Sequence, residues 1–238
     1  MDNAIYAALT RQSGLMREMH AVANNIANAA TTGFRREGVV FSEFVKAMGT
    51  EPSLSMARAS ARNVDLSQAE ITATGGVFDF AIRGQGFFLV ETPDGEALSR
   101  AGHFTPGPAG DLVNPDGYRL LDAGGAPVAV PPGVANISLA QDGTLSGDGV
   151  PIARIGLWAP ADPTSLRHVA GTIFTADAPE PMGEEAGILL QGHLEGSNSN
   201  PIVELARMIE VQRAYEVGQQ LLDREDQRIR NVLQTLGR

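Results

Sequence analysis

Near the start of the chain, the apolar residues Ile5, Leu9, Met16, Met19, Ala23 and Ile26 form, with Gln12, a row whose spacings alternate four and three. That is a heptad seam, the period of helices that supercoil around one another. It predicts an α-helix over residues 3–29, about 40 Å long at 1.5 Å per residue. Thr31-Thr32-Gly33 ends the pattern, because Gly33 can take the positive φ that closes a helix. The far end of the chain carries a second, longer run. Asn200 is a strong N-cap, Pro201 suits the first helical position, and Glu204 adds negative charge to the first turn. Leu205, Met208, Gln212, Tyr215, Gln219, Leu222, Asp226, Ile229, Leu233 and Leu236 repeat the same spacing. A second apolar line, Val211, Ala214, Gly218, Leu221 and Val232, makes this face wider than one partner helix needs. One line is expected to meet the first helix, the other a second copy of the chain.

Between the helices the texture changes twice. Residues 34–74 read as a connector of extended or locally helical chain, charged at Arg35-Arg36-Glu37 and rich in Ser and Ala after Pro52. From Gly75 onward, short β-type runs appear at Val77–Arg83, Gly86–Glu91, Leu112–Asn114, Tyr118–Asp122, Ile137–Ala140 and Arg154–Trp158. Pro93-Asp94-Gly95, Pro115-Asp116-Gly117, Asp122 to Gly125 and Gln141-Asp142-Gly143 separate them as turns. Short strands at this spacing predict an antiparallel, hairpin-rich β domain over residues 75–199. The fold class is therefore α+β. A terminal helical domain, residues 1–33 with 200–238, pairs as a coiled coil and flanks a central antiparallel β-rich domain.

Composition narrows the function. A net charge of -10 with no long basic run disfavours nucleic acid, whose binding depends on neutralising phosphates. The same charge disfavours an anionic membrane surface. No run reaches the roughly 18 apolar residues of a membrane span, so membrane insertion is not expected. There is no cysteine, so disulfides and thiolate metal sites are excluded. This fits a chain that crosses a membrane unfolded and must not cross-link. Residues Met1 to Thr10 lack the basic and unbroken apolar stretches of a cleaved signal peptide.

Enzyme chemistry finds no foothold. His20, His103, His168 and His193 show no metal-ligand spacing and read as surface or turn residues. No Gly-x-Ser-x-Gly elbow is present, and Gly84-Gln85-Gly86 is followed by two phenylalanines where a dinucleotide site wants a third glycine. No catalytic residue, metal or cofactor is expected. A carbohydrate-binding or hydrolytic β domain acting on peptidoglycan stands as a remote alternative. It would need two carboxylates across a cleft. The terminal seams carry the stronger signal. Polar residues within them lower the stability of an isolated pair while specifying register, which suits helices completed by neighbours.

Four segments carry a family resemblance. Ala23 to Arg35 (ANNIANAATTGFR) resembles the N-terminal signature of flagellar rod and hook proteins, and Leu194 to Asn198 (LEGSN) with Met208 to Glu216 (MIEVQRAYE) resembles their C-terminal one. Phe80 to Phe88 and Arg100 to Thr105 are similar to segments of rod proteins. The start of the chain and its compact length fit the proximal rod type, with the distal rod type as alternative. The resemblance implies a tubular, torque-transmitting rod in the periplasm, and delivery by the flagellar type III export apparatus without a cleaved signal. The partners it implies are copies of the chain and other rod proteins. The expected assembly interface comprises Ile5, Leu9, Gln12, Met16 and Met19, then Asn24, Asn25, Ile26, Asn28, Gly33 and Phe34. On the last helix it takes Leu205, Met208, Ile209, Gln212, Tyr215, Leu222, Ile229, Leu233 and Leu236. The asparagines are expected to bond the last helical carbonyls or a neighbouring backbone. Phe34 is expected to pin the exit of the chain, in its own β domain or in the next subunit.

Overall fold

A computed structural model describes residues 2–48, 51–183 and 186–236, with side chains for 8–40, 63–183, 186–232 and 234–235. The chain divides into two compact units, residues 1–27 with 37–63 and 200–238, and residues 28–36 with 64–199. The first holds helix α1 (Asp2–Ala27), helix α2 (Pro201–Leu236) and two paired strands, Glu37–Met48 and Glu51–Val64. The segment read as a connector thus pairs with itself. Sequence inspection missed this because Val39, Val40, Phe41, Phe44 and Val45 do not alternate strictly with polar residues.

Local chemistry sets the start of α2 and the end of α1. Asn200 accepts hydrogen bonds from the backbone N–H groups of Ile202 (3.0 Å) and Val203 (3.3 Å), the N-cap its position predicts. Helix α1 ends at Ala27, before the expected Ala29, and closes through the Thr31 N–H on the Asn28 carbonyl. Gly33 does have positive φ (74°), but in a later turn.

The helices pack antiparallel, and their facing stripes differ in phase from the expected seams. On α1, Gln12, Leu15, Glu18, Val22 and Asn25 are buried, while Leu9, Met16 and Ala23 face solvent. On α2, Glu204 and Val211 are buried and Met208, Tyr215, Gly218 and Leu222 half-buried, while Leu205, Gln212, Gln219, Asp226 and Ile229 are exposed. In each helix one line of the seam keeps its place and the other is displaced by one residue. The cause is polar. Glu18 accepts from Arg207 (2.7 Å), and the Gln12 side-chain amide donates to the Tyr215 carbonyl (2.9 Å). Gly218 makes room for that amide: a Cβ there would sit 2.4 Å from Gln12 Nε2. Ile5, Leu233 and Leu236 lie outside the described side chains.

The second unit is built of antiparallel strands. Its largest sheet has seven, in the order 167–170, 173–175, 95–99, 88–92, 119–120, 112–113, 105–106. Three predicted turns join neighbouring strands here or in the 137–154 sheet: Gly95 (φ 122°), Gly117 (φ 84°) and Gly143 (φ 91°) supply the positive φ. Phe88, Leu89 and Val90 are all fully buried, so this strand is covered on both faces and reads as a continuous apolar run. Phe88 and Val90 join a core with Phe80, Ile82, Leu112, Leu120, Leu145 and Leu189. Leu89 joins a second with Phe87, Leu98, Leu166, Trp158 and Phe174. The expected run Arg154–Trp158 is instead a break, with one strand ending at Arg154 and another opening at Trp158. Gly156 sits in that break, its backbone close enough to Ala123 that a Cβ would lie 2.7 Å from its Cα.

Close backbone packing generates a contrast of two glycines. A Cβ on Gly102 would fall 1.6 Å from the Phe80 carbonyl oxygen, whereas one on Gly183 would meet nothing within 4 Å. Gly102→Ala is expected to lower unfolding free energy by about 3 kcal/mol or more. Gly183→Ala should change it by less than about 0.5 kcal/mol. Urea denaturation followed by circular dichroism measures both.

Candidate assembly surface

In the β unit, three segments remote in sequence meet through one carboxylate. Glu195 ends the short strand His193–Glu195, which pairs with Ile71–Ala73. Its Oε1 accepts from Arg35 Nη2 (2.6 Å) and from the Ala69 N–H (2.9 Å), and its Oε2 from Arg100 Nε (2.8 Å). All three charged side chains are almost wholly buried: Arg35 is 1% exposed, Arg100 3% and Glu195 0%. Arg100 also donates to the carbonyls of Gly84 (2.8 Å), Ile82 (3.3 Å) and Gly86, holding the loop before the central strand. Burial draws the Arg100 guanidinium down to about 10, Glu195 opposes that, and nearby Arg35 adds to it.

The same neighbourhood explains the signature residues around the cluster. The Gly33 N–H donates to the Glu195 carbonyl (2.8 Å), and a Cβ on Gly33 would lie 2.2 Å from the Ala101 nitrogen. Glycine is required there by both φ and space. Asn198 acts as a three-way clip. Its Oδ1 accepts from the Arg36 N–H (2.6 Å), while its Nδ2 donates to the carbonyls of Asp65 (2.8 Å) and Ser67 (3.0 Å). Phe34 is fully buried and meets the His168 ring edge-on at 5.4 Å, so it is seated in its own chain. His168 lies between Phe34 and Phe174 as a packing residue, where a surface or turn role was expected.

In the helical unit, Asn25 plays the role of a strand. Its Nδ2 donates to the Glu37 carbonyl (2.8 Å) and its Oδ1 accepts from the Glu37 N–H (2.9 Å). This two-way exchange imitates one rung of a β-ladder. The same amide donates to Glu204 Oε2 (3.1 Å), which links the first turn of α2 to the last turns of α1. Asn24, Ile26 and Asn28 are half-buried beside it. The sequence marked these asparagines as backbone binders; it held no signal for Arg100 or Glu195 as partners of Arg35.

Among the described residues, the helical unit also leaves apolar side chains exposed between its charged ones. They are Leu9 and Met16 on α1, and Ile202, Val203, Leu205, Ile209, Val217, Leu221, Ile229 and Val232 on α2. Ile202, Leu205 and Ile209, at i, i+3 and i+7, share one face of α2.

Signature polar residues that hold the chain's own backbone, beside apolar side chains left exposed on its helices, are features of a structural subunit. Comparison with known proteins agrees. Residues 5–35 match the model of the flagella basal body rod protein, residues 81–147 that of the flagellar hook protein FlgE/F/G D1 domain, and residues 190–235 that of the flagellar basal body rod FlgEFG protein C-terminal. The whole chain is 38% identical to the flagellar basal-body rod protein FlgF of Caulobacter vibrioides and 35% identical to that of Mesorhizobium japonicum, covering 99% of each. Over 98% of its length it is 26% identical to the flagellar basal-body rod protein FlgG of Bacillus subtilis, covering 98% of that protein. The chain belongs to the flagellar basal-body rod protein family and is similar to FlgF, a structural subunit of the flagellum and not an enzyme.

The ion cluster can be separated from ordinary surface pairing. Glu195→Ala leaves two buried guanidiniums without their carboxylate and is expected to cost about 3–5 kcal/mol. Arg230, exposed and 2.7 Å from Asp226, offers the control: breaking that pair with Arg230→Ala should cost no more than about 1 kcal/mol. Thermal and urea unfolding of the purified variants check both values.

Proposed function

We propose that the chain is a proximal-rod subunit that assembles with copies of itself and with other rod proteins into a tubular shaft in the periplasm, transmitting torque to the filament. The flagellar type III export apparatus delivers it. Its ends, residues 1–33 and 200–238, form the assembly domain, pairing as a coiled coil, and residues 75–199 form a β-rich domain. The connector between them along the chain is residues 34–74, of which 37–63 belong to the helical unit.

The observation that carries this reading is the exposed apolar patch of Ile202, Leu205 and Ile209 near the start of α2. Leu205 and Ile209 stand outside the stripe that α2 turns toward α1, at 55% and 44% exposure. Polymers with open helical symmetry need such heterologous faces, one part of a subunit meeting a different part of its neighbour. Packed near-axial helices resist twist because every turn contributes contacts, and a drive shaft requires that stiffness. The likeness to FlgG over nearly the whole chain favours one second reading, a distal-rod position.

Because Leu205 and Ile209 are exposed in the single chain, Leu205→Asp/Ile209→Asp should leave its unfolding free energy within about 0.5 kcal/mol of the parent. In an assembled rod the same carboxylates would be buried without partners, at about 2–7 kcal/mol each by analogy with unpaired polar groups. The double variant, expressed in a strain lacking the parent protein, should be secreted and folded but non-motile, with no complete basal bodies by electron microscopy. Normal swimming would remove α2 from the interface. Immunogold labelling of basal bodies built with the parent chain distinguishes the proximal from the distal end.

A further inference from the structure

The last stretch of the β unit, residues 188–198, is bound to segments drawn from its whole length. Among the described residues, 188–191 is the one strand paired with 80–83, and 193–195 the one paired with 71–73. Leu189 enters the larger core, which holds Phe80, Ile82, Phe88 and Val90. The Gln191 side chain donates to the carbonyls of Val77 (2.9 Å) and Ile137 (3.1 Å) and accepts from the Leu139 N–H (3.0 Å). Glu195 is the carboxylate of both buried guanidiniums, and Asn198 ties down the backbone at Arg36, Asp65 and Ser67. The seven-stranded sheet contrasts with this. All of its strands lie between residues 88 and 175, and the second core also draws nothing from 188–198. Strand pairing alone would let that sheet form first.

We infer that residues 188–198 gate the folding of the β unit, so that the seven-stranded sheet does not hold until this last stretch has docked. Arg100 and the 80–83 strand carry the constraint. Arg100 directly follows strand 95–99, and it is 3% exposed. Without Glu195 its guanidinium, and that of Arg35, would be buried with no carboxylate, which is severely unfavourable. Phe80, Ala81 and Ile82 are fully buried, and without 188–191 their strand loses its ladder partner. Phe80 and Ile82 share the core that covers Phe88 and Val90 of the central strand, so their exposure uncovers one face of the sheet. Loss of a buried ion cluster, a ladder and a core leucine together rivals the whole stability of a domain. A chain is synthesised from its N-terminus, so this stretch is the last part of the β unit to appear. The gate suits a subunit that travels unfolded, and in that use it rests on the export reading above. Folding is measured without export, so either reading can fail alone.

Two full-length variants test this by placing proline at half-buried, paired strand positions: Leu190→Pro within 188–191 and Ala153→Pro within 150–154. In ¹⁵N spectra, Leu190→Pro should lose the dispersed amide signals of 88–99 and 173–175 along with those of 71–83. Ala153→Pro should lose those of 137–154 and keep those of 88–99. Retention of the 88–99 signals in Leu190→Pro, or their loss in both variants, would overturn the gate. Kinetics of the full chain give a second reading. Leu189→Ala should refold more slowly by about tenfold or more, while its unfolding rate stays within about threefold of the parent. In pulsed hydrogen exchange during refolding of the parent, amides of 88–92 and 95–99 should gain protection together with or after those of 80–83 and 188–191. Faster unfolding with unchanged refolding in Leu189→Ala, or earlier protection of 88–99, would remove the gate.

Discussion

The buried contact of Arg35 and Arg100 with Glu195 is the constraint on which the β unit depends. It joins residues about a hundred and sixty positions apart, and it does so where water cannot compensate for a misplaced charge. Burying an ion pair seldom adds stability over an apolar replacement, but leaving one partner alone is severely unfavourable. The value of such a cluster therefore lies in choosing one arrangement. Only the register in which the 193–195 strand lies against 71–73 delivers Glu195 to both guanidiniums and the Ala69 N–H. The Arg100 fork then fixes the loop carbonyls that precede the buried Phe87–Val90 run.

The two signature asparagines extend the same logic to backbone groups. Asn25 exchanges hydrogen bonds with both main-chain groups of Glu37, and Asn198 binds the main chain of Arg36, Asp65 and Ser67. A primary amide carries donor and acceptor side by side, as a peptide does, and can complete a ladder where no strand is available. Aspartate lacks the donor and leucine lacks both. The places where the chain passes between its two units, 27/28, 36/37, 63/64 and 199/200, lie close in sequence to these residues.

In the helices the polar contacts decide which face turns inward. Glu18 with Arg207, Asn25 with Glu204 and Gln12 with the Tyr215 carbonyl all sit on the shared face, and Val211 is buried among them. Stronger apolar residues, Leu205 and Ile209 among them, are left outside. A helix pair governed by burial alone would have kept Leu205 on the shared face, since a buried Leu is worth about 1.5–3 kcal/mol. The shift of phase is consistent with a subunit completed by neighbours.

Local sequence determined the elements that local chemistry specifies. The heptad spacing, the Asn200-Pro201 cap and the Gly-closed turns at 95, 117 and 143 gave the two helices and several hairpins nearly to their ends. The signature segments also pointed to the family. What the sequence could not contain was phase and pairing. A heptad states the period of a helix, but which side faces the partner depends on where Arg207 meets Glu18 and where Gly218 admits Gln12. Strand runs state that strands exist, but the pairing of 80–83 with 188–191 joins residues more than a hundred positions apart. The same holds for Arg35, Arg100 and Glu195. Each is an ordinary charged residue in its own stretch of chain, and only the tertiary fold brings them within hydrogen-bond distance and removes the water that would otherwise make their meeting inconsequential.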